Sequence, residues 1–197
     1  MNTRTLGEIQ AEHREETWVL RKYKEPKTLK KLIQLDFELQ EKYDSSLDDY
    51  MGFYISFNDD EDRYHCTPND AVIFGRTGTD GDHFAFSTNN WTVEDLEECP
   101  ILFIQPMDDR KMKLVAQNIR DFIALFVQLK EVYVLERFDI YQNEADFIND
   151  YKEYEDGIEE RREELEFICS KLREAIDFVE IGNVFSYITK IRKEFSK

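Results

Sequence analysis

At 197 residues, with 41% apolar and 14% aromatic side chains, the chain has material for a sizeable core, which excludes intrinsic disorder despite 35% charged residues. No apolar run approaches the roughly 20 residues a membrane helix needs, and "MNTRTLGEIQAEHREE" lacks the apolar core of a secretory signal. A net charge of −17 argues against direct binding of nucleic acid, because few cations are left to neutralise phosphates.

In chain order, the first 43 residues read as helical. A charged amphipathic segment covers Ile9 to Tyr23. From Pro26, "PKTLKKLIQLDFELQEKY" sets Leu29, Leu32, Ile33 and Leu39 at helical spacing, with proline suited to the first turn. The period then changes. "YMGFYISFN" (Tyr50–Asn58) is short, aromatic and bounded by acidic turns, which predicts a strand. "AVIFG" and "HFAFST" predict two more strands joined by "RTGTDGD", with Phe84 and Phe86 facing the core on period 2 and His83 standing exposed at the loop's end. "CPILFIQPM" (Cys99–Met107) predicts a strand buried on both faces.

Helix resumes with "DDRKMKLVAQNIRDFIALFVQLKEV". Leu114, Val115, Ile119, Phe122, Ile123 and Phe126 form its apolar stripe, and Asp108-Asp109 are placed to cap its start. Beyond Arg137, Glu144–Tyr154 and Glu159–Val179 read as charged helices, with Leu165, Ile168, Cys169, Leu172 and Ile176 at spacings of 3 and 4. Gly157 and Gly182 are the expected breaks. The expected class is α+β, with N-terminal helices, a small mostly antiparallel sheet packed on a long helix, and a helical C-terminal appendage. The division is 1–137 for the α+β domain and 138–197 for the charged extension packed on it.

Charge is concentrated. Residues 51–100 hold 11 acids against only Arg63 and Arg76, a balance of −9, more than half of the total. The same quarter holds the most patterned stretch, "VIFGRTGTDGDHFAFST" (Val72–Thr88). Its glycines do not make a phosphate loop. Gly75 and Gly81 stand six apart, and Asp82 follows where a Walker loop needs lysine. No G-x-G-x-x-G opens a helix there either. Asp80 and Asp82, with Thr77 and Thr79, offer oxygen ligands, but the flanks and carboxylate count are wrong for an EF-hand. His65, Cys66 and His83 lack the usual zinc spacing. Cys66 beside an acidic run lacks the electropositive setting of a thiolate nucleophile, and no G-x-S-x-G occurs. The stretch reads as hairpin architecture, with glycine supplying positive φ and Asp and Thr satisfying turn backbone. No cofactor and no metal are expected. The scattered cysteines Cys66, Cys99 and Cys169 fit free thiols in a reducing cytoplasm.

Taken in order, Ile73-Phe74-Gly75, the turn with Gly78 and Asp80-Gly81, His83-Phe84-Ala85-Phe86, Pro100-Ile101 opening a strand, and a helix carrying Asn118, Phe122 and Ile123 resemble the SUKH superfamily, which includes bacterial toxin-immunity proteins. The resemblance covers roughly residues 26–130. It implies an α+β scaffold whose sheet and adjoining loops bind another protein, in the immunity members a toxin that is often a nuclease. Such toxins tend to be basic, and a concentrated acidic face would speed their capture.

The expected function is therefore a non-enzymatic, immunity-type protein that neutralises a basic, nuclease-like toxin domain. The expected electrostatic face is Asp59, Asp60, Glu61, Asp62, Asp80, Asp82, Glu94, Asp95, Glu97 and Glu98, with Tyr54, Tyr64 and Trp91 as aromatic anchors. Two alternatives stand beside it. One is a regulatory or scaffold protein of the same fold, dimerising through Leu165, Ile168 and Leu172. The other is a metal-dependent hydrolase built on Asp80, Asp82 and His83.

Overall fold

The computed structural model describes residues 23–57 and 63–195. Helix α1 (Lys27–Tyr43) is followed by the one-turn helix α2 (Leu47–Met51) and strand β1 (Tyr54–Ile55). Strands β2 (Ala71–Arg76), β3 (His83–Ser87), β4 (Ile101–Ile104) and β5 (Met112–Ala116) complete a five-stranded antiparallel sheet, ordered in space as in sequence. Helix α3 (Ile119–Leu129) follows β5, then α4 (Glu144–Glu160), α5 (Arg162–Ala175) and α6 (Val184–Phe195). The class is α+β. Residues 9–22 of the segment expected to be the first helix lie outside the described residues, while Tyr23 is buried with its hydroxyl on the Val93 carbonyl at 2.9 Å.

An aromatic pile joins the sheet to α3. Phe84 stacks on its cross-strand partner Phe103 with ring centroids 4.5 Å apart, and Phe122 of α3 lies 4.9 Å from it. Phe74 meets Phe86 at 4.6 Å, and Phe53 fits between Phe84 and Phe122 at 5.2 and 5.7 Å. The period-2 placement of Phe84 and Phe86 in the core is thus as the sequence reads. All six residues of β2 and all four of β4 are buried, so the sheet is covered on both faces. Gly75 is required by this packing rather than by a turn. A Cβ there would lie 2.7 Å from the Phe53 ring, and the ladder shifts register between Ile73 and Gly75.

Several boundaries differ from expectation. Among the described residues of the expected strand Tyr50–Asn58, only Tyr54–Ile55 form one. The preceding residues turn into α2, because Ser46 and Asp49 form a capping box and Gly52, at φ +70, ends the turn. Helix does not resume at Asp108. Met112–Ala116 pairs with β4 instead, so Leu114 and Val115 lie on a strand. Asn118, not the Asp108-Asp109 pair, caps α3, accepting from the Asp121 amide at 2.9 Å. The Asp108 side chain instead accepts from the Arg110 amide in the β4–β5 turn. Gly157 does not break its helix, which runs on to Glu160.

The C-terminal helices share the core. Leu165, Ile168, Cys169 and Leu172 of α5, with Ile188 and Ile191 of α6, are buried in the same apolar cluster as the sheet. Arg192 of α6 fastens the sheet edge. Its Nε donates to the Leu114 carbonyl at 2.9 Å, another guanidinium N–H donates to the Leu135 carbonyl at 3.0 Å, and it pairs with Asp139. No helix among the described residues is long and apolar enough to cross a membrane.

The Gly75–Phe53 contact sets an expectation for stability. Gly75→Ala should lower the unfolding free energy by about 1–3 kcal/mol, the usual range for overpacking a tight core. Urea denaturation of variant and parent checks it.

Candidate functional site

The turn between β2 and β3 is closed by its own backbone. The Thr77 amide donates to the Asp82 carbonyl at 3.0 Å, and the Asp82 amide to the Thr79 carbonyl at 2.9 Å. Gly78, Asp80 and Gly81 all take positive φ. Gly81 is constrained twice, because a Cβ there would also fall 2.2 Å from the Tyr64 ring.

His83 is fully buried, which corrects its reading as an exposed group. Nδ1 lies 2.7 Å from the Gly81 carbonyl and Nε2 lies 3.0 Å from the Thr67 hydroxyl, while Tyr64 stacks on the ring at 6.1 Å. A carbonyl only accepts, so Nδ1 carries the proton and the threonine hydroxyl donates to Nε2. Burial holds the imidazole below its ordinary pKa, in the neutral form. With both nitrogens engaged internally, the ring is a brace for the turn. Among the described residues no three His, Cys, Asp or Glu side chains gather as a metal site.

Asp82 is also turned inward, at 7% exposure, and does not belong to a solvated face. Its carboxylate accepts from Gln105 Nε2 at 2.9 Å, and the same amide donates to Glu136 at 2.8 Å. The Gln105 carbonyl oxygen takes the Lys113 ammonium at 2.6 Å, and that ammonium also reaches Asp108 at 3.0 Å. The network ties the ends of β3, β4 and β5 to the 3₁₀ turn Tyr133–Asp139. Burial pushes the Asp82 pKa up, and the Gln105 bond opposes that only in part.

The remaining expected acids divide between described and undescribed positions. Asp59, Asp60, Glu61 and Asp62 lie outside the described residues. Asp95 caps the 3₁₀ turn Leu96–Glu98 by accepting from the Glu97 amide at 2.9 Å. Glu97 reaches across to α1, which has no side-chain cap at Pro26, and accepts the Thr28 amide at 3.0 Å and the Thr28 hydroxyl. Glu98 pairs with Arg120. Asp80, Glu94, Asp95 and Glu98 all stand exposed.

The aromatic anchors separate likewise. Tyr54 is exposed on β1 beside Gly78, so it shares the turn with Asp80. Tyr64 is committed to His83. Trp91 is half-buried and stacks on Tyr23 at 6.1 Å, the last of three consecutive left-handed residues with Asn89 and Asn90. That turn is held by Thr88 Oγ1, which accepts from the Trp91 amide at 3.1 Å, and by Asp70, which accepts from the Asn90 amide at 2.6 Å. The buried thiols are no better as nucleophiles, since desolvation pushes Cys99 up to about 12.

Among the described residues, the densest exposed acidity lies elsewhere, on α4. Glu144–Glu160 holds eight carboxylates against Lys152 alone, and Glu153, Glu155, Asp156, Glu159 and Glu160 all face solvent. Counting charge in blocks of fifty splits this helix at residue 150 and dilutes it with the lysines and arginines that follow. Counting over the helical segment itself exposes it. No family model, curated protein or solved structure matches the chain.

Two outcomes follow. Glu97→Ala removes the cap on α1 and should cost about 1 kcal/mol, read by urea denaturation. For Asp82, the folded pKa lies above the unfolded value near 3.8, so the folded state holds the proton more tightly. Its contribution to stability is complete below that unfolded value and is lost as pH rises through the folded one. Asp82→Asn should therefore show a shallower loss of stability than the parent as pH is raised from that value toward neutrality, measured by denaturation at successive pH values.

Proposed function

We propose that this chain is a non-enzymatic, immunity-type protein that captures and occludes a basic protein domain, such as a nuclease toxin. The reading rests on the resemblance of the β2–β3 hairpin, the Pro100-Ile101 strand and α3 to the SUKH superfamily. It is carried by one observation, the solvated acidic face of α4, where carboxylates that need no internal partner stand ready for cations. The contact surface accordingly moves from the loop acids to Glu153, Asp156 and Glu160, with Asp80 and Tyr54 a second, smaller exposed site.

The internal engagement of His83 and Asp82 favours binding over catalysis, since neither is presented to a substrate. Self-association through Leu165, Ile168 and Leu172 would need side chains that the fold already places in its own core, at most 1% exposed. A cytoplasmic setting belongs to the same proposal and suits three free thiols.

The test is co-purification with the product of the neighbouring reading frame, followed by measured affinity for its basic C-terminal domain. Binding is expected to weaken roughly tenfold or more between about 50 and about 200 mM salt. Combined Glu153→Lys, Asp156→Lys and Glu160→Lys should slow association by a similar factor. Absence of any complex, or a complex indifferent to both salt and the triple variant, overturns the reading.

A further inference from the structure

Helix α4 is held more lightly than its neighbours. None of its 17 residues is buried, whereas α3 buries eight of its 11 and α5 buries four of its 14. Its inner stripe of Phe147, Tyr151, Tyr154 and Ile158 is only half-buried. Phe147 rests on Phe138 at 5.0 Å and Phe185 at 6.4 Å between ring centroids. Two polar links hold the middle of the helix. Asp150 pairs with Arg137 at 2.7 Å while accepting the Tyr141 hydroxyl, and the Tyr151 hydroxyl donates to the Leu129 carbonyl at 2.8 Å. At its N-terminus Asn183 donates to Glu144 at 2.6 Å.

The helix is also poorly supported from within. Glu155, Asp156, Glu159 and Glu160 crowd its C-terminal end, where the macrodipole favours cations, and its last turn holds no basic residue, only Glu159 being paired among the described residues, with Arg162 at 2.6 Å. Glu155 with Glu159, and Asp156 with Glu160, are like charges at i,i+4. Gly157 adds a weak helix former in the interior. The helical run is interrupted at Arg161, whose backbone leaves the helical region at φ −103 and ψ 17 and whose guanidinium is bonded to the Asp49 carbonyl. That break divides α4 from α5, which is anchored by Leu165, Ile168 and Leu172.

We propose that α4 is a strap that opens and closes on the body as its own cooperative unit, latched by Asp150 on Arg137 and Tyr141, and tightened when positive charge reaches its outer face. Opening uncovers Phe138, Phe185 and the Arg137 guanidinium, and carries the acidic face away with it. The inference rests on the packing and charge of the helix, so it stands or falls separately from the identity of any partner.

Hydrogen exchange followed by mass spectrometry on the full free chain tests it. Peptides within 145–158 should exchange roughly a hundredfold or more faster than those of α3 and α5. Asp150→Asn keeps the shape but removes the charge, and should speed exchange in α4 roughly tenfold while leaving α3 and α5 unchanged. Glu160→Lys relieves the crowded end and should slow α4 by about two- to fivefold. Protection of α4 equal to that of α3 and α5 overturns the strap. So does an Asp150→Asn effect spread equally over all three helices. A Glu160→Lys variant that leaves α4 exchange unchanged removes the charge-tightening part.

Discussion

The ring of Phe53 lies against the backbone of Gly75, and the order of the layers follows from that contact. With no side chain at position 75, the segment leading into β1 can press onto β2 and place an aromatic ring between Phe84 of the sheet and Phe122 of α3. Phe74, displaced by the register shift, closes the same pile through Phe86 and Phe122. Rings that meet at offset or edge-on angles contribute both buried area and specific geometry. The position of α3 over the sheet, and so the connection that returns through the 3₁₀ turn to α4, is set by these few aromatics.

Around that apolar centre the acids divide into two populations. Some are structural. Asp82 turns inward onto Gln105, Asp95 caps a turn, Glu97 caps α1 and Glu98 pairs with Arg120. Each satisfies a donor, which matters most for the buried Gln105 amide and the part-buried Thr28 amide, whereas the Glu98–Arg120 pair stands in solvent. Others, among them Glu153, Glu155, Asp156 and Glu160 of α4, face water and crowd one another. A chain this acidic keeps its negative charge where it binds donors or where it faces water, and the carboxylates that do only the second are the most open to a partner.

The elements that were legible in the sequence are those whose signal is local. The stripe of Leu29, Leu32 and Leu39 specifies α1, and alternating phenylalanines around a glycine turn specify the β2–β3 hairpin. Strand β5 was not legible. Leu114 and Val115 continue the apolar spacing of Ile119 and Phe122, and Lys113 is buried where alternation would call for an apolar group. The pairing offered by β4 decided that segment, a tertiary choice that overrides local pattern. The inward engagement of part of the candidate site was not legible for a related reason. Composition reports how many carboxylates a segment holds, but not that Asp82 and Glu97 point at donors from distant parts of the chain. The exposure of α4 was within reach of a count made over helix lengths.

Arg192 has a further consequence for how molecules of this chain meet one another. A sheet edge with free carbonyls and amides is a template on which a second chain can add a strand and begin a fibre. Here the guanidinium of Arg192 occupies the Leu114 carbonyl, and the Tyr187 hydroxyl occupies the Gln117 amide just beyond the strand. The opposite edge, β1, is only two residues long. The two ends of the sheet are thus protected by different means, one by a helix laid across it and one by brevity. Both edges are thereby blunted against the addition of a further strand, beside the repulsion that a net charge of −17 sets up between copies.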